Sequence, residues 1–322
     1  MGTYTKISKN IQQILVDNPK TPNKKVTWIN ICNPRKPEIE YLRKKFGFSL
    51  SHLQASSSLA TAQRPSIEKT DEYTFIILHF PFIVGNSVVS GEIDFFIGKD
   101  YIVTLHNDIR ALSDFFNLYK KSADSFLAFK NELSMIVLYE ILENLMMKSF
   151  QIFDENAKKI NELEEEIFTQ ESRKAVSTIL TLRRNIIGAR RIMQNHRNIL
   201  HKLVQIEFEA IQDAQIKKLF NNLQETLTLI WNNLESQKEM IEVLNNTNES
   251  LLNDKISDIM KTLTIFSVIV FPLTLLAAIF GMNTVNSMPF INSEYGFWLV
   301  IGVMCIGCLG MLFFFERKGW LK

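Results

Sequence analysis

The chain has 322 residues, 22% of them charged, and a formal net charge of +2. A balance so near neutral offers no broad field for nucleic acid, and the length admits two soluble domains or one domain with a membrane module. Only one of the three cysteines, Cys32, lies outside the apolar C-terminal region, which argues against a disulfide framework and for a reducing compartment.

The first ten residues are polar, so no secretory leader is expected there. Residues 1–24, with Pro19 and Pro22, read as a loose lead-in. Val26 to Ile31 is rich in β-branched and aromatic residues and predicts a strand, closed by an Asn33-Pro34 turn. A short helix beginning at a proline is expected over Pro37 to Lys45. Glu72 to Phe82 and Val88 to Phe96 predict two strands around a Gly85-Asn86 turn, and Tyr101 to His106 another. Residues 1–124 thus read as an α/β domain.

Beyond it the helix breakers vanish. No proline falls between Pro81 and Pro272, and Gly188 is the sole glycine between Gly98 and Gly281. Long helices follow from that absence, expected at about Ser125–Gln170, Arg173–Val204 and from Glu207 onward. The last carries an apolar seam at Leu223, Leu227, Ile230, Leu234, Ile241 and Leu244, with polar steps at Gln237 and Asn248. Such a seam packs on the chain's own helices or on copies of itself. The polar steps favour copies around a wet axis. Residues 125–262 are read as this helical domain and stalk.

Leu263 to Asn283 is then an uncharged apolar run that stops at Gly-Met-Asn, and Gly296 to Phe315 is a second. Roughly 20 apolar residues as helix cross a hydrocarbon core of about 30 Å, so the two runs predict a transmembrane hairpin joined by a loop at 284–295. That loop lacks Lys and Arg, whereas Lys255 and Lys261 precede the first span and Arg317, Lys318 and Lys322 follow the second, in the tail 316–322. The positive-inside rule expects both termini in the cytoplasm of a multi-pass inner-membrane protein. Cys305 and Cys308 lie inside the second run and read as small, weakly polar packing residues.

The residues that end the first span resemble the CorA family of divalent-metal channels and transporters. Phe280-Gly281-Met282-Asn283, with Pro272-Leu273-Thr274 upstream, stands where that family has an aromatic followed by Gly-Met-Asn. The likeness extends over Trp28-Ile29, Asn33-Pro34, the FIIL strand at Phe75, and Val103-Thr104-Leu105-His106. It continues through Asn161-Glu162-Leu163-Glu164, Leu182-Arg183-Arg184 and the tail Arg317-Lys318-Gly319-Trp320-Leu321.

The resemblance implies a homopentameric funnel: an α/β cytoplasmic domain, a long helical stalk and two C-terminal transmembrane helices, the first lining a pore. It implies a selectivity filter at Gly281, Met282 and Asn283, where an Asn283 ring meets the metal through the ion's own water. It also implies pore-lining Thr274 and Phe271, an apolar neck at Leu263 and Met260, and a basic collar of Arg317, Lys318 and Lys322. The cargo would be divalent cations, Mg²⁺ foremost, with Zn²⁺, Co²⁺ or Ni²⁺ as the alternative. No cofactor and no nucleic-acid partner is expected; the lipid bilayer is.

Two departures stand out. Met288-Pro289 is followed by Phe290 and Ile291 where the family's magnesium members usually have Glu-Leu, leaving Glu294 as the loop's acid. The positions of the acids expected to hold regulatory metal fall at Asn246 and near Asn222. The ordinary reading of Asn283 is a polar helix cap, and that of Thr274 a hydroxyl bonded to its own backbone.

Among the remaining charges, the acidic run Glu162-Glu164-Glu165-Glu166 reads as a solvated face, with Arg183, Arg184, Arg190 and Arg191 expected to pair with it from a neighbouring helix. His196 and His201 are spaced wrongly to stack two ligands on a helix face. No phosphate-binding loop and no nucleophile motif occurs, so an enzyme or an ATP-driven pump is not indicated. A membrane-anchored coiled-coil sensor or scaffold is the alternative from another class.

Overall fold

The computed structural model describes residues 5–17, 25–57, 63–122, 133–168, 172–208, 214–282 and 294–320. In chain order these form β1 (Thr5–Lys6), β2 (Ile11–Asp17), β3 (Lys25–Cys32), α1 (Lys36–Phe46), α2 (Leu50–Ala55), β4 (Ser66–Lys69), β5 (Thr74–Val84), β6 (Ser87–Ile97), β7 (Tyr101–His106), α3 (Arg110–Ser122), α4 (Leu133–Phe168), α5 (Ser172–Phe208), α6 (Ala214–Phe280) and α7 (Gly296–Arg317). They divide into two compact units, Met1–Asn245 and Asn246–Lys322.

The first unit is built on a seven-stranded sheet in the order β1-β2-β3-β7-β6-β5-β4. Every pairing is antiparallel except β3 with β7. Both faces are covered, which explains why β5 reads as the near-continuous apolar run FIIL rather than an alternation. One face carries Val26, Trp28, Ile76, Leu78, Phe80 and Phe95, in one core with apolar residues of α3, α4, α5 and α6. The other carries Ile29, Ile31, Phe75, Phe96 and Val103, in a core with Leu42 of α1 and Leu53 of α2. Trp28 is fully buried; its indole N–H donates to Thr104 Oγ1 at 3.1 Å, and that hydroxyl donates to Asn30 Oδ1 at 2.7 Å.

The β5–β6 hairpin turns at Gly85-Asn86 as expected, with Gly85 at φ 62, the conformation that a two-residue loop of this kind reserves for glycine. Asn185 of α5 holds that turn in place. Its Oδ1 accepts from the Val88 N–H at 3.0 Å, and its amide donates to the Asn86 carbonyl at 2.9 Å.

Several expectations are corrected. The lead-in holds β2, whose Ile11, Ile14 and Val16 are buried and whose ladder places Ile14 opposite Trp28 and Val16 opposite Val26 on β3. Neither α2, β4 nor α3 was expected; α3 is amphipathic, with Leu112, Phe115, Phe116 and Tyr119 buried. Glu207 and Phe208 belong to α5 rather than opening α6, and the expected helical residues 125–132, 169 and 170 lie outside the described ones.

The seam on α6 does not await copies of itself. Leu223, Leu227, Ile230, Leu234, Ile241 and Leu244 are all buried within the single chain. Gln237 is buried too: its amide donates to the Phe153 carbonyl of α4 at 2.8 Å and to Asn233 Oδ1 at 2.7 Å. Both of its amide N–H groups thus find partners inside the protein, and these donors need no wet axis. The arginines also differ from expectation. Arg190 pairs with Glu235 of α6 and lies 4.9 Å from the Trp231 ring centroid, while Glu166 binds Lys174 at 3.0 Å.

Candidate functional site

α6 runs without a break through Pro272, and its last turns carry the residues singled out in the sequence. At 3.6 residues per turn, Met260, Leu263, Phe271, Thr274 and Ala278 fall within about 45° of one line along the helix. All are exposed, Phe271 at 71% and Leu263 at 55%. On the opposite side lie Ile265, Ile269, Leu273, Leu276 and Phe280, each buried or half-buried. A narrow stripe of this segment is therefore partly shielded within the chain, and most of the rest of its circumference, the side bearing the expected pore residues included, is bare. The sequence reading missed a member of that bare line, Ser267, although its four-residue spacing from both Leu263 and Phe271 was a visible signal.

The hydroxyls on and beside this face bond to their own helix. Thr264 donates to the Met260 carbonyl at 2.7 Å, Ser267 to Leu263 at 2.8 Å and Thr274 to Val270 at 2.8 Å. The ordinary reading of Thr274 is thus observed, yet its oxygen keeps lone pairs free to accept.

The helix closes tightly at its end. The Gly281 N–H reaches the Ala277 and Ala278 carbonyls at 2.9 and 3.2 Å, and the Met282 N–H reaches Ile279 at 3.2 Å. A Cβ on Gly281 would sit 3.2 Å from the Ala277 oxygen, a tight contact that glycine avoids. The regular helix stops at Phe280, three residues short of the expected end, because the last amides shift to these shorter-range bonds. Met282 is exposed; Asn283 lies outside the described residues, as does Lys322.

α7 has 22 residues, about 33 Å of helix, enough for a hydrocarbon core. Aromatic residues mark both ends. Tyr295, Phe297 and Trp298 are exposed beside exposed Glu294. At the other end Trp320 stacks on Phe315 with centroids 5.6 Å apart, after Gly319 turns the chain at φ 72. Arg317 and Lys318 are exposed, the ammonium of Lys318 standing 5.6 Å from the Phe314 ring centroid. This is the arrangement of a helix anchored at two membrane–water interfaces.

The first unit supplies no rival site. Among the described residues no three His, Cys, Asp or Glu side chains converge as metal ligands. Three of its buried groups are shifted toward their neutral forms by their surroundings. Burial pulls His196 down to about 4, its Nε2 donating to the His79 carbonyl, and burial likewise pulls His106 to about 4. Asp94 is pushed up to about 8 by burial and then by the charge of Glu92.

Two helices long and apolar enough to cross a membrane, the C-terminal part of α6 and α7, thus follow the α/β unit. The family described as CorA-like Mg²⁺ transporter protein matches residues 23–317, and the chain belongs to it. It is accordingly a divalent-cation transporter, not an enzyme. A cobalt/magnesium transport protein CorA of Methanocaldococcus jannaschii is 25% identical over 92% of this chain and 92% of its own. The complete structure of the CorA magnesium transporter from the same organism superposes with a TM-score of 0.83 at 23% identity, covering 98% of this chain and all of that one. The ZntB cytoplasmic domain from Vibrio parahaemolyticus matches with a TM-score of 0.51 at 14% identity, over 71% of this chain and 88% of that one.

Proposed function

We propose that five copies of this chain surround a pore lined by the bare face of α6, and that hydrated Mg²⁺ passes through it down its electrochemical gradient. The observation that carries this reading is the alignment of Met260, Leu263, Phe271 and Thr274 along one line of the α6 span, all of them exposed and opposite the stripe that the chain itself partly shields.

The chemistry follows from the ion. Mg²⁺ gives up water reluctantly, so a filter that binds its hydration shell is easier to build than one that strips it. A ring of Asn283 amide oxygens at the mouth accepts hydrogen bonds from the ion's waters without holding the ion so tightly that it stays. Thr274 offers a second ring of acceptors deeper in. Met260 and Leu263 form the apolar neck, where drying closes the path. Glu294 at the outer loop and the inner collar of Arg317, Lys318 and Lys322 set the field at the two ends. Both termini lie in the cytoplasm, where an interior at −100 mV draws a divalent cation inward by about 4.6 kcal/mol.

Zn²⁺ or Co²⁺ transport is the second reading. Phe290 and Ile291 in the outer loop and the likeness to a ZntB cytoplasmic domain support it. Purified chain in liposomes tests both readings: Asn283→Ala should abolish Mg²⁺ influx, and competition among Mg²⁺, Zn²⁺ and Co²⁺ ranks the cargo. Unchanged flux and selectivity in that variant would overturn the filter assignment; no flux from the wild-type chain would favour a sensor or scaffold.

A further inference from the structure

We propose that Ser267 is a specificity-determining residue of the pore, a hydration station between the neck and the filter. The inference rests on the reading that α6 lines the pore.

Among the residues of the bare line, Ser267 lies nearest its centre, within about 10° of the mean direction of Met260, Leu263, Phe271, Thr274 and Ala278. Along the helix it sits four residues, about 6 Å, from both Leu263 and Phe271. Without it, the line from Met260 to Phe271 would carry no polar group over about 16 Å, Thr264 standing beside it. A hydrated divalent cation on such a wall loses hydrogen-bond partners for its outward-facing waters, and an apolar bore of that length tends to dry.

Ser267 has the polarity the task needs. Waters bound to a cation point their hydrogens outward, so they require acceptors. The Ser267 hydroxyl proton is already committed to the Leu263 carbonyl at 2.8 Å, which leaves the oxygen's lone pairs as what the side chain can offer. Thr274 is committed in the same way to Val270, so the two hydroxyl rings stand about 10 Å apart with Phe271 between them. Acceptor rings of fixed orientation favour hydrated cations and disfavour anions. Ser267 is half-buried, less open than its neighbours on the line, as befits a small side chain between Leu263 and Phe271.

The test uses the full chain in liposomes. Ser267→Val should cut Mg²⁺ influx by about tenfold or more, as loss of a ring of water-accepting oxygens would, while Ser267→Thr, which restores the oxygen, should stay within about twofold of wild type. Separately, in a background with Cys32, Cys305 and Cys308 replaced by alanine that still conducts, single cysteines are placed at 263, 267 and 269 and exposed to Cd²⁺. Block at 263 and 267 but not at 269 supports the proposal. Block at 263 alone, or wild-type flux through Ser267→Val, overturns the assignment of Ser267 and leaves the pore reading standing. Block at none of the three overturns the proposal through the pore reading on which it rests.

Discussion

Replacing Asp94 by asparagine should make the protein more stable, and by an amount that depends on pH. Asp94 is almost fully buried on β6, facing Glu92 and Ser56, and its carboxyl is raised from 3.8 to about 8. At neutral pH the folded chain therefore holds it protonated, while the unfolded chain releases the proton. A raised acid contributes stability that is complete below pH 3.8 and is lost as pH climbs toward 8. At pH 7 the penalty relative to a permanently neutral side chain is at most about 4 kcal/mol, roughly three pH units at about 1.4 each. An asparagine side chain has the size of the protonated acid and does not titrate. The Asp94→Asn variant should unfold about 10 °C above wild type at pH 7 if the whole penalty is recovered, and the gap should close near pH 4. Thermal unfolding of the detergent-solubilised chain, followed by circular dichroism from pH 4 to 8, measures this. A gap that stays constant with pH, or a variant weaker than wild type at pH 7 to 8, would refute the reasoning and mean that the native carboxylate is ionised.

Other outcomes follow from the same structure. His196 works with the opposite sign: burial lowers it to about 4, so its stability is complete above 6.5 and is lost as pH falls toward 4, by at most about 3 kcal/mol. His196→Phe should flatten that acid limb in the same pH series, while costing about 1–3 kcal/mol at neutral pH through the abandoned His79 carbonyl. Leu234→Ala, at a fully buried seam position, should cost about 2–5 kcal/mol in denaturant unfolding yet leave the Mg²⁺-to-Co²⁺ flux ratio unchanged below the transition. Trp28→Phe should cost about 1–3 kcal/mol, read by the same unfolding assay, because Thr104 Oγ1 loses a buried donor.

The spans were legible because the bilayer imposes a length and a polarity that few other settings demand, and the long helices because proline and glycine are missing. The central strands were legible from β-branched runs. β2 was not, since Gln12 and Gln13 and the prolines that follow mask its apolar residues and its place is fixed by ladder bonds to β3, a partner that local composition does not reveal. Gln237 shows the deeper limit. A polar residue in an apolar seam can face water or a buried partner with the same sequence signature, and only the Phe153 carbonyl decides between them. Ser267 was legible in principle from spacing, but its neighbours Leu263 and Phe271 drew the eye to an apolar stretch. For Asn283, sequence remains the sole guide, through Gly281 and Met282 beside it.

The self-bonded hydroxyls of α6 bear on how the protein is made. On the proposed pentameric reading, a copy that enters the bilayer before its partners cover this face meets acyl chains with it first. An uncommitted hydroxyl donor there would be costly. Thr264, Ser267 and Thr274 each arrive with the proton already given to a carbonyl of the same helix. On that reading the newly inserted chain can wait in lipid for its partners, and the oxygens that lipid tolerates meanwhile would become the wall that water meets after assembly.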